Sequence, residues 1–310
     1  MVFLTKKMAE LSIIWVNWNN SQLLQKSIDS IQETLVDIRY DLWVVDNAST
    51  DDSVSMLRTK FPQVNIIENQ ENLGFAAANN QAMVTSQSKY FLLINTDAFA
   101  TKGAINHLYQ LAKVTPRAGI IGAHLLNPDG SFQASYANFP NLAQEFLILS
   151  GLGRVWGGPW YPNHTPVQGE KAKKVDYVQG ACLFVRHQAF EQAGGMDESY
   201  FMYSEEVDWC YSIQKAGWEV WYQPAAEIIH VGGASSRNRV VQRETDLYKS
   251  RVLFFRKHYG SFATSLLKLM IVGLTTIKFV FYGLVRKFGK KDFGRLVASP
   301  LSLFSLFKNI

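Results

Sequence analysis

A chain of 310 residues with 47% hydrophobic and 18% charged positions buries a full core, which excludes a disordered protein and predicts one large domain or one domain with an appendage. The net charge of +5 is unevenly placed: from Phe262 to Ile310 eight Lys/Arg face one acid, Asp292, so this tail carries +7 and residues 1–261 carry −2. A weakly acidic body argues against the whole chain being a nucleic-acid binder. The two cysteines, Cys182 and Cys210, match neither a metal spacing nor a disulfide framework. With no apolar signal core among the first residues, they point to a reducing cytoplasm.

In chain order, Leu11–Asn17 reads as a strand and Ser21–Leu35 as a helix. Leu42–Asp46 is a second strand, and Ser49-Thr50-Asp51-Asp52 caps a short helix to about Lys60. A third strand, Val64–Glu68, precedes an Ala-rich helix over Gly74–Ser86. The run Tyr90–Ile94 is apolar at every position, as in a strand covered on both faces. A helix over Lys102–Val114 then leads to a strand at Gly119–Ala123. This alternation predicts βαβ units, hence an α/β fold with a mostly parallel central sheet and flanking helices.

Residues 127–170 break the rhythm with Asn127-Pro128-Asp129-Gly130, Pro140, Gly157-Gly158-Pro159 and further turn formers. They read as a long loop-rich insert, whose Phe139, Phe146, Trp156, Trp160 and Tyr161 suit stacking on an acceptor sugar or filling a satellite core. A strand resumes over Val175–Val185, and a helix runs from about Glu205 to Ala216. Short strands follow at Trp218–Tyr222 and Ala226–His230, then a helix at Arg243–Tyr259.

Several strands end on residues able to do chemistry, where ligands of open α/β sheets bind. Asp97, just beyond the fourth strand, is placed to hold Mg²⁺ or Mn²⁺ against a diphosphate, with Asn95 a neutral amide beside it. Asp46 can accept from a ribose hydroxyl or a pyrimidine N–H, or bond its own turn; Asn17 can contact the base or act as a cap. At Glu71-Asn72-Leu73-Gly74-Phe75, Gly74 permits a tight helix entry whose N–H groups suit an anion, or a simple N-cap. Tyr203-Ser204-Glu205-Glu206-Val207-Asp208 is the densest acidic cluster. Crowded carboxylates raise one another's pKa and suit a general base; two Glu in a first helical turn also complement its dipole. His230, at a strand end, can complete a metal shell or serve structure.

Taken together, SIIWVNWN (12–19), VVDNASTDDS (44–53), ENLGFAAANN (71–80), LLINTDA (92–98), the stretch 178–210 and IIHVGGAS (228–235) resemble a family 2 glycosyltransferase with the GT-A fold. The resemblance covers about residues 11–258 and is strongest to rhamnosyltransferase-like enzymes of bacterial cell-surface polysaccharide synthesis. It implies a GT-A domain over 1–260 and a C-terminal tail over 261–310. It implies an inverting transferase moving rhamnose or a similar sugar from a dTDP- or UDP-sugar to a lipid-linked or polysaccharide acceptor. Asp46, with Asn17, Asn72, Gly74 and Asn95 around it, would bind the donor. Asp97 and His230 would hold the metal, and Glu206 would be the base, with Glu205 before it and Asp208 in support. The family's Glu-Asp pair is Glu-Glu here, a change of about 1.5 Å in reach that leaves both Glu205 and Glu206 as candidates. Asn95 and the Glu-Glu pair also fit a catalytically silent sugar-nucleotide-binding scaffold on the same fold. A nucleotidyltransferase lacks its Gly-rich triphosphate loop after the first strand, and a dinucleotide dehydrogenase lacks its G-x-G-x-x-G.

In the tail, Phe262–Val285 is mostly apolar, with Lys268 and Lys278 about 80° apart on a helix and Arg286, Lys287, Lys290 and Lys291 directly after. This pattern predicts peripheral attachment to the cytoplasmic face of the membrane by an interfacial helix, with Leu301–Phe307 as a second contact. A helix packed on the body is the other reading. The pattern leaves an oligomer open.

Overall fold

The computed structural model describes residues 9–154, 171–232 and 240–287. The first half alternates as expected: β1 (Leu11–Asn17), α1 (Ser21–Thr34), β2 (Tyr40–Asp46), α2 (Ser53–Lys60), β3 (Asn65–Glu68), α3 (Gly74–Thr85) and β4 (Tyr90–Ile94). After them come β5 (Ala98–Ala100), α4 (Ala104–Val114), β6 (Ala118–Leu126), β7 (Phe132–Gln133), β8 (Tyr136–Ala137) and α5 (Leu142–Ser150). Then follow β9 (Lys173–Lys174), β10 (Tyr177–Val178), β11 (Cys182–Arg186), α6 (His187–Ala193), α7 (Glu205–Lys215), β12 (Glu219–His230), α8 (Val240–His258) and α9 (Gly260–Lys287).

The main sheet has the order β3-β2-β1-β4-β11-β6-β12-β5, with β7 on β6 and β9 on β12. Strands β3, β2, β1 and β4 are mutually parallel, as are β6 and β12, whereas β11 runs antiparallel between β4 and β6. Register aligns the strand tips: Asn17 pairs with Asp46, and Asp46 with Glu68. At the other end of the sheet His230 pairs with Ala98, one residue past Asp97.

β1 and β4 are buried along almost their whole length, as their unbroken apolar runs require. Each fully buried Leu or Ile there contributes about 1.5–3 kcal/mol. The indole N–H buried in this layer is satisfied: Trp15 Nε1 donates to Ser27 Oγ at 2.8 Å. Ser27 Oγ in turn donates to the carbonyl of Ala98 at 2.7 Å, tying α1 to the turn that carries Asp97. Asp51 receives Ser21 N at 3.0 Å and Ser53 N at 3.0 Å, so one carboxylate caps both α1 and α2. Burial works against its charge, but the bonds from Ser53 and from the Ser21 backbone outweigh it and hold the carboxyl below its ordinary range.

Three expectations change. The strand over Val175–Val185 is two, β10 and β11, parted at Gly180 and lying in different sheets, since β10 pairs with β8. The short strands at Trp218–Tyr222 and Ala226–His230 are one strand, β12, whose pairing with β6 slips between Gln223 and Glu227. Pro224 lies in that slip, where its missing N–H costs no ladder bond. The insert at 127–170 holds β7, β8 and α5 in its described part; Trp156, Trp160 and Tyr161 lie outside the described residues.

The chain forms two compact units. The first comprises, within the described residues, 9–138, 171–201 and 206–232, and contains both sheets. The second comprises 139–154, 202–205 and 240–287, with α5, α8 and α9; the sequence-based boundary at residue 260 falls inside it. Here α9 packs on α8 and α5, burying Thr264, Leu267, Ile271 and Thr275 along one helical face. Arg251 Nη1 donates to the buried Glu145 at 2.7 Å, linking α8 to α5. Burial pushes the Glu145 carboxyl above its ordinary range, with Arg251 pulling the other way. Phe139 stacks on Phe254, while Phe146 is exposed.

Candidate active site

The aligned tips of β1, β2 and β3 gather the first group of residues. Asp46 is 3% exposed. Its Oδ1 accepts from Asn17 Nδ2 at 2.9 Å and its Oδ2 from Ser49 N at 2.8 Å, while Asn17 Nδ2 also reaches Ser49 Oγ at 3.1 Å. Asp46 thus bonds its own turn, and Asn17 orients it; each carboxylate oxygen keeps a further lone pair. Next to it, the buried Asn47 donates to Asn72 Oδ1 at 3.2 Å and to the Gly74 carbonyl at 3.1 Å, and accepts from Asn69 at 2.8 Å. Sequence reasoning missed Asn47, Ser49 and Asn69; the first two stand in the VVDNAST motif directly after Asp46.

Asn72 and Gly74 form the entry to α3, and the first two amides there are bonded within the protein, as in the N-cap alternative. Gly74 N donates to Asn72 Oδ1 at 3.0 Å, and Phe75 N donates to the carbonyl of Phe201 at 3.1 Å. Gly74 has φ +86°, and a Cβ there would lie 2.5 Å from the Phe201 carbonyl oxygen. The glycine lets the segment before the acidic cluster dock on α3.

The second group lies beyond β4 and β12. Asp97 is 6% exposed, and its Oδ1 lies 3.3 Å from His230 Nε2. The pairing is fixed from both sides: Val231 N donates to the Asp97 carbonyl at 3.0 Å, and Ala98 N to that of Asn95 at 3.1 Å. The other ring nitrogen, His230 Nδ1, lies 2.6 Å from Gln133 Oε1. A carboxylate oxygen and an imidazole nitrogen at this spacing fit a shared Mg²⁺ or Mn²⁺, since adjacent vertices of an octahedron with bonds of about 2.1 Å stand about 3.0 Å apart. Among the described residues no three His, Cys, Asp or Glu side chains cluster around a metal position. The pair would therefore leave most of an ion's shell to other oxygens.

The third group is the start of α7. Tyr203 (φ 72°) and Ser204 (φ 65°) are both left-handed, a strained approach for residues with a Cβ. The helix opens with Glu205, buried, then Glu206, half-buried. Glu206 lies against Gly180: a Cβ built there would sit 3.6–3.8 Å from its side-chain carbons. Asn95 N donates to the carbonyl of Ala181 at 3.0 Å, so the backbone that Glu206 lies against is bonded to the residue that opens the Asp97 turn. Asp208 is 1% exposed and accepts from the Tyr200 hydroxyl at 3.3 Å. Four residues after Glu206, Cys210 is buried, as is Cys182; both are free thiols that burial pushes up to about 12, which removes them as nucleophiles.

The structure thus joins Asp97 to His230 and ties Asn95 into their turn, sets Glu206 against Gly180, next to the Ala181 that Asn95 bonds, and clusters Asn17, Asp46, Asn72 and Gly74 at the tips of β1 and β2 and the entry to α3. The family model described as glycosyl transferase family 2 matches residues 12–194. An N-acetylglucosaminyl-diphospho-decaprenol L-rhamnosyltransferase of Mycobacterium tuberculosis is 31% identical over 231 residues, 70% of this chain and 75% of that protein. A low-salt glycan biosynthesis hexosyltransferase of Haloferax volcanii is 26% identical over 228 residues, 71% of this chain and 67% of that protein. Among solved structures, a mannosyltransferase of Pyrobaculum calidifontis in complex with GDP-Man and Mn²⁺ superposes with a TM-score of 0.57 at 15% identity, covering 98% of this chain and 87% of its own. That likeness carries the fold, which is GT-A.

Proposed function

The chain belongs to glycosyl transferase family 2, and from that premise we propose that it moves rhamnose or a similar sugar from a dTDP- or UDP-sugar to a glycan acceptor carried on a polyprenyl diphosphate. The 3.3 Å contact between His230 and Asp97, the latter just past β4, the strand next to β1, carries this reading. Asp46, oriented by Asn17, accepts from the nucleoside. Asp97 and His230 would hold Mg²⁺ or Mn²⁺, which would supply positive charge against the departing nucleoside diphosphate. Glu206 takes the proton of the acceptor hydroxyl as that oxygen attacks the anomeric carbon from the face opposite the diphosphate. Its carboxylate becomes a carboxylic acid, the bond to the diphosphate breaks, and the sugar configuration inverts in one step. Glu205, more deeply buried, supports Glu206, and the Tyr200–Asp208 bond fixes the first turns of α7.

The acceptor's lipid places the enzyme at a membrane, and α9 suits that surface. Gly260–Phe281 is long and apolar enough to cross a bilayer by length and composition, with mean hydropathy 1.6. One face packs within the second unit, while Phe262, Leu266, Leu269, Ile277 and Val280 form an exposed apolar stripe. Such a two-faced helix lies in the interface rather than across it. Incubating purified protein with a panel of dTDP- and UDP-sugars and a polyprenyl-diphosphate-linked acceptor should give nucleotide release that EDTA abolishes and Mn²⁺ restores. Undiminished release in EDTA would remove the metal from the reaction, and sugar binding without release would favour the silent scaffold.

A further inference from the structure

We propose that Gln133 is a positioning residue for the cation pair: its side-chain oxygen keeps the proton of His230 on Nδ1 and so presents the Nε2 lone pair toward Asp97. This rests on the reading of Asp97 and His230 as cation ligands. The chain of contacts starts at the turn Asn127–Ser131, closed by Asn127 N donating to the Ser131 carbonyl at 2.8 Å and by Ser131 N donating to Asp129 Oδ1 at 2.9 Å. Asn127 Nδ2 donates to the Phe132 carbonyl at 3.3 Å, which leaves Asn127 Oδ1 as an acceptor. Gln133 Nε2 donates to that Oδ1 at 3.0 Å and to the main-chain oxygen of His230 at 3.2 Å. Carbonyl oxygens only accept, so the amide nitrogen of Gln133 is fixed on that side and its Oε1 faces the imidazole at 2.6 Å. An amide oxygen also only accepts, so Nδ1 is the donor. In the neutral imidazole, which has one N–H, Nε2 then keeps its lone pair 3.3 Å from Asp97 Oδ1.

Two acceptors facing each other repel, and a cation between them turns that repulsion into coordination. Without Gln133 the proton can move to Nε2 and bond Asp97 directly, a self-pairing that occupies both ligands. Gln133 selects against that closed arrangement. Its own position is set by β7, where it pairs with Leu125 of β6.

Nitrogen NMR of histidine-labelled, metal-free protein at about pH 9, where free imidazole is neutral, tests the assignment, with the His230 signals identified from H230N. Wild type should carry the proton on Nδ1, and Q133L should shift it toward Nε2. Titrated with Mn²⁺ alone and followed by EPR, Q133L should bind about 10–100-fold more weakly, while Q133E, which keeps an acceptor oxygen, should bind closer to wild type. A wild-type proton on Nε2 would overturn the proposal even if no variant folds, and so would wild-type affinity in Q133L. D97N that binds Mn²⁺ as tightly as wild type would instead overturn the cation reading, leaving the tautomer to be judged on the spectrum alone.

Discussion

Gly74 shows how one side chain, or its absence, decides the approach of two distant segments. Its left-handed φ costs a residue with a Cβ about 1–3 kcal/mol, and the Phe201 carbonyl oxygen, 2.5 Å from where an added Cβ would sit, leaves no room to relax. G74A should therefore lower stability by at least about 2 kcal/mol in urea unfolding and loosen the segment leading to Glu206. A variant as stable as wild type would mean that the docking on α3 is dispensable. The glycine was legible as a tight helix entry; what it admits was not, because Phe201 is far away in sequence. Gln133 is hidden for the same reason. Its contact with His230 spans 97 residues, and a lone Gln in a turn-rich stretch has no period or motif to mark it. Asp97, Asp46 and His230 were legible as candidates because each follows or closes an apolar strand run, and ligands of open α/β sheets bind at strand ends.

Among the elements, those with strong local patterns agree with the sequence to within a residue or two, as α1, α2 and α3 do. Elements set by tertiary pairing do not. β5, β7, β8, β9 and β10 are two or three residues long and exist only through their partners. β12 continues through Pro224 because β6 tolerates a slipped register there. α9 has a period that tells helix from strand but not which face is covered. Its lysines, Lys268 and Lys278, prove half-buried, and the outward stripe of Phe262, Leu266, Leu269, Ile277 and Val280 carries no charge. If that stripe enters the lipid interface, L269Q/I277Q, which removes apolar surface without adding charge, should leave anionic vesicles in flotation while keeping transfer to a short-chain soluble acceptor. Since neither residue is packed, the fold should be retained. Undiminished flotation would exclude the stripe as the contact. Deleting the helix is a poorer test, because Leu267 and Ile271 are part of the core of the second unit.

At the scale of the whole molecule, charge and fold divide the work. In the proposed reading a body of slightly negative charge would bind a nucleotide sugar through a few placed groups and a cation, and the +7 tail would favour anionic surfaces. The α/β class followed from alternation alone, whereas the antiparallel β11 in the middle of the sheet did not, because a fully buried strand reads the same in either direction. That reversal sets Ala181 against Asn95, and so brings the backbone beside Glu206 to the turn carrying Asp97. Transfer by the proposed route depends on this convergence, and steady-state kinetics of E206A at saturating donor and Mn²⁺ probe it most directly. The predicted result is a kcat lower by about 10²–10⁴-fold with donor affinity kept. A kcat equal to that of wild type would contradict the assignment of Glu206 as the base.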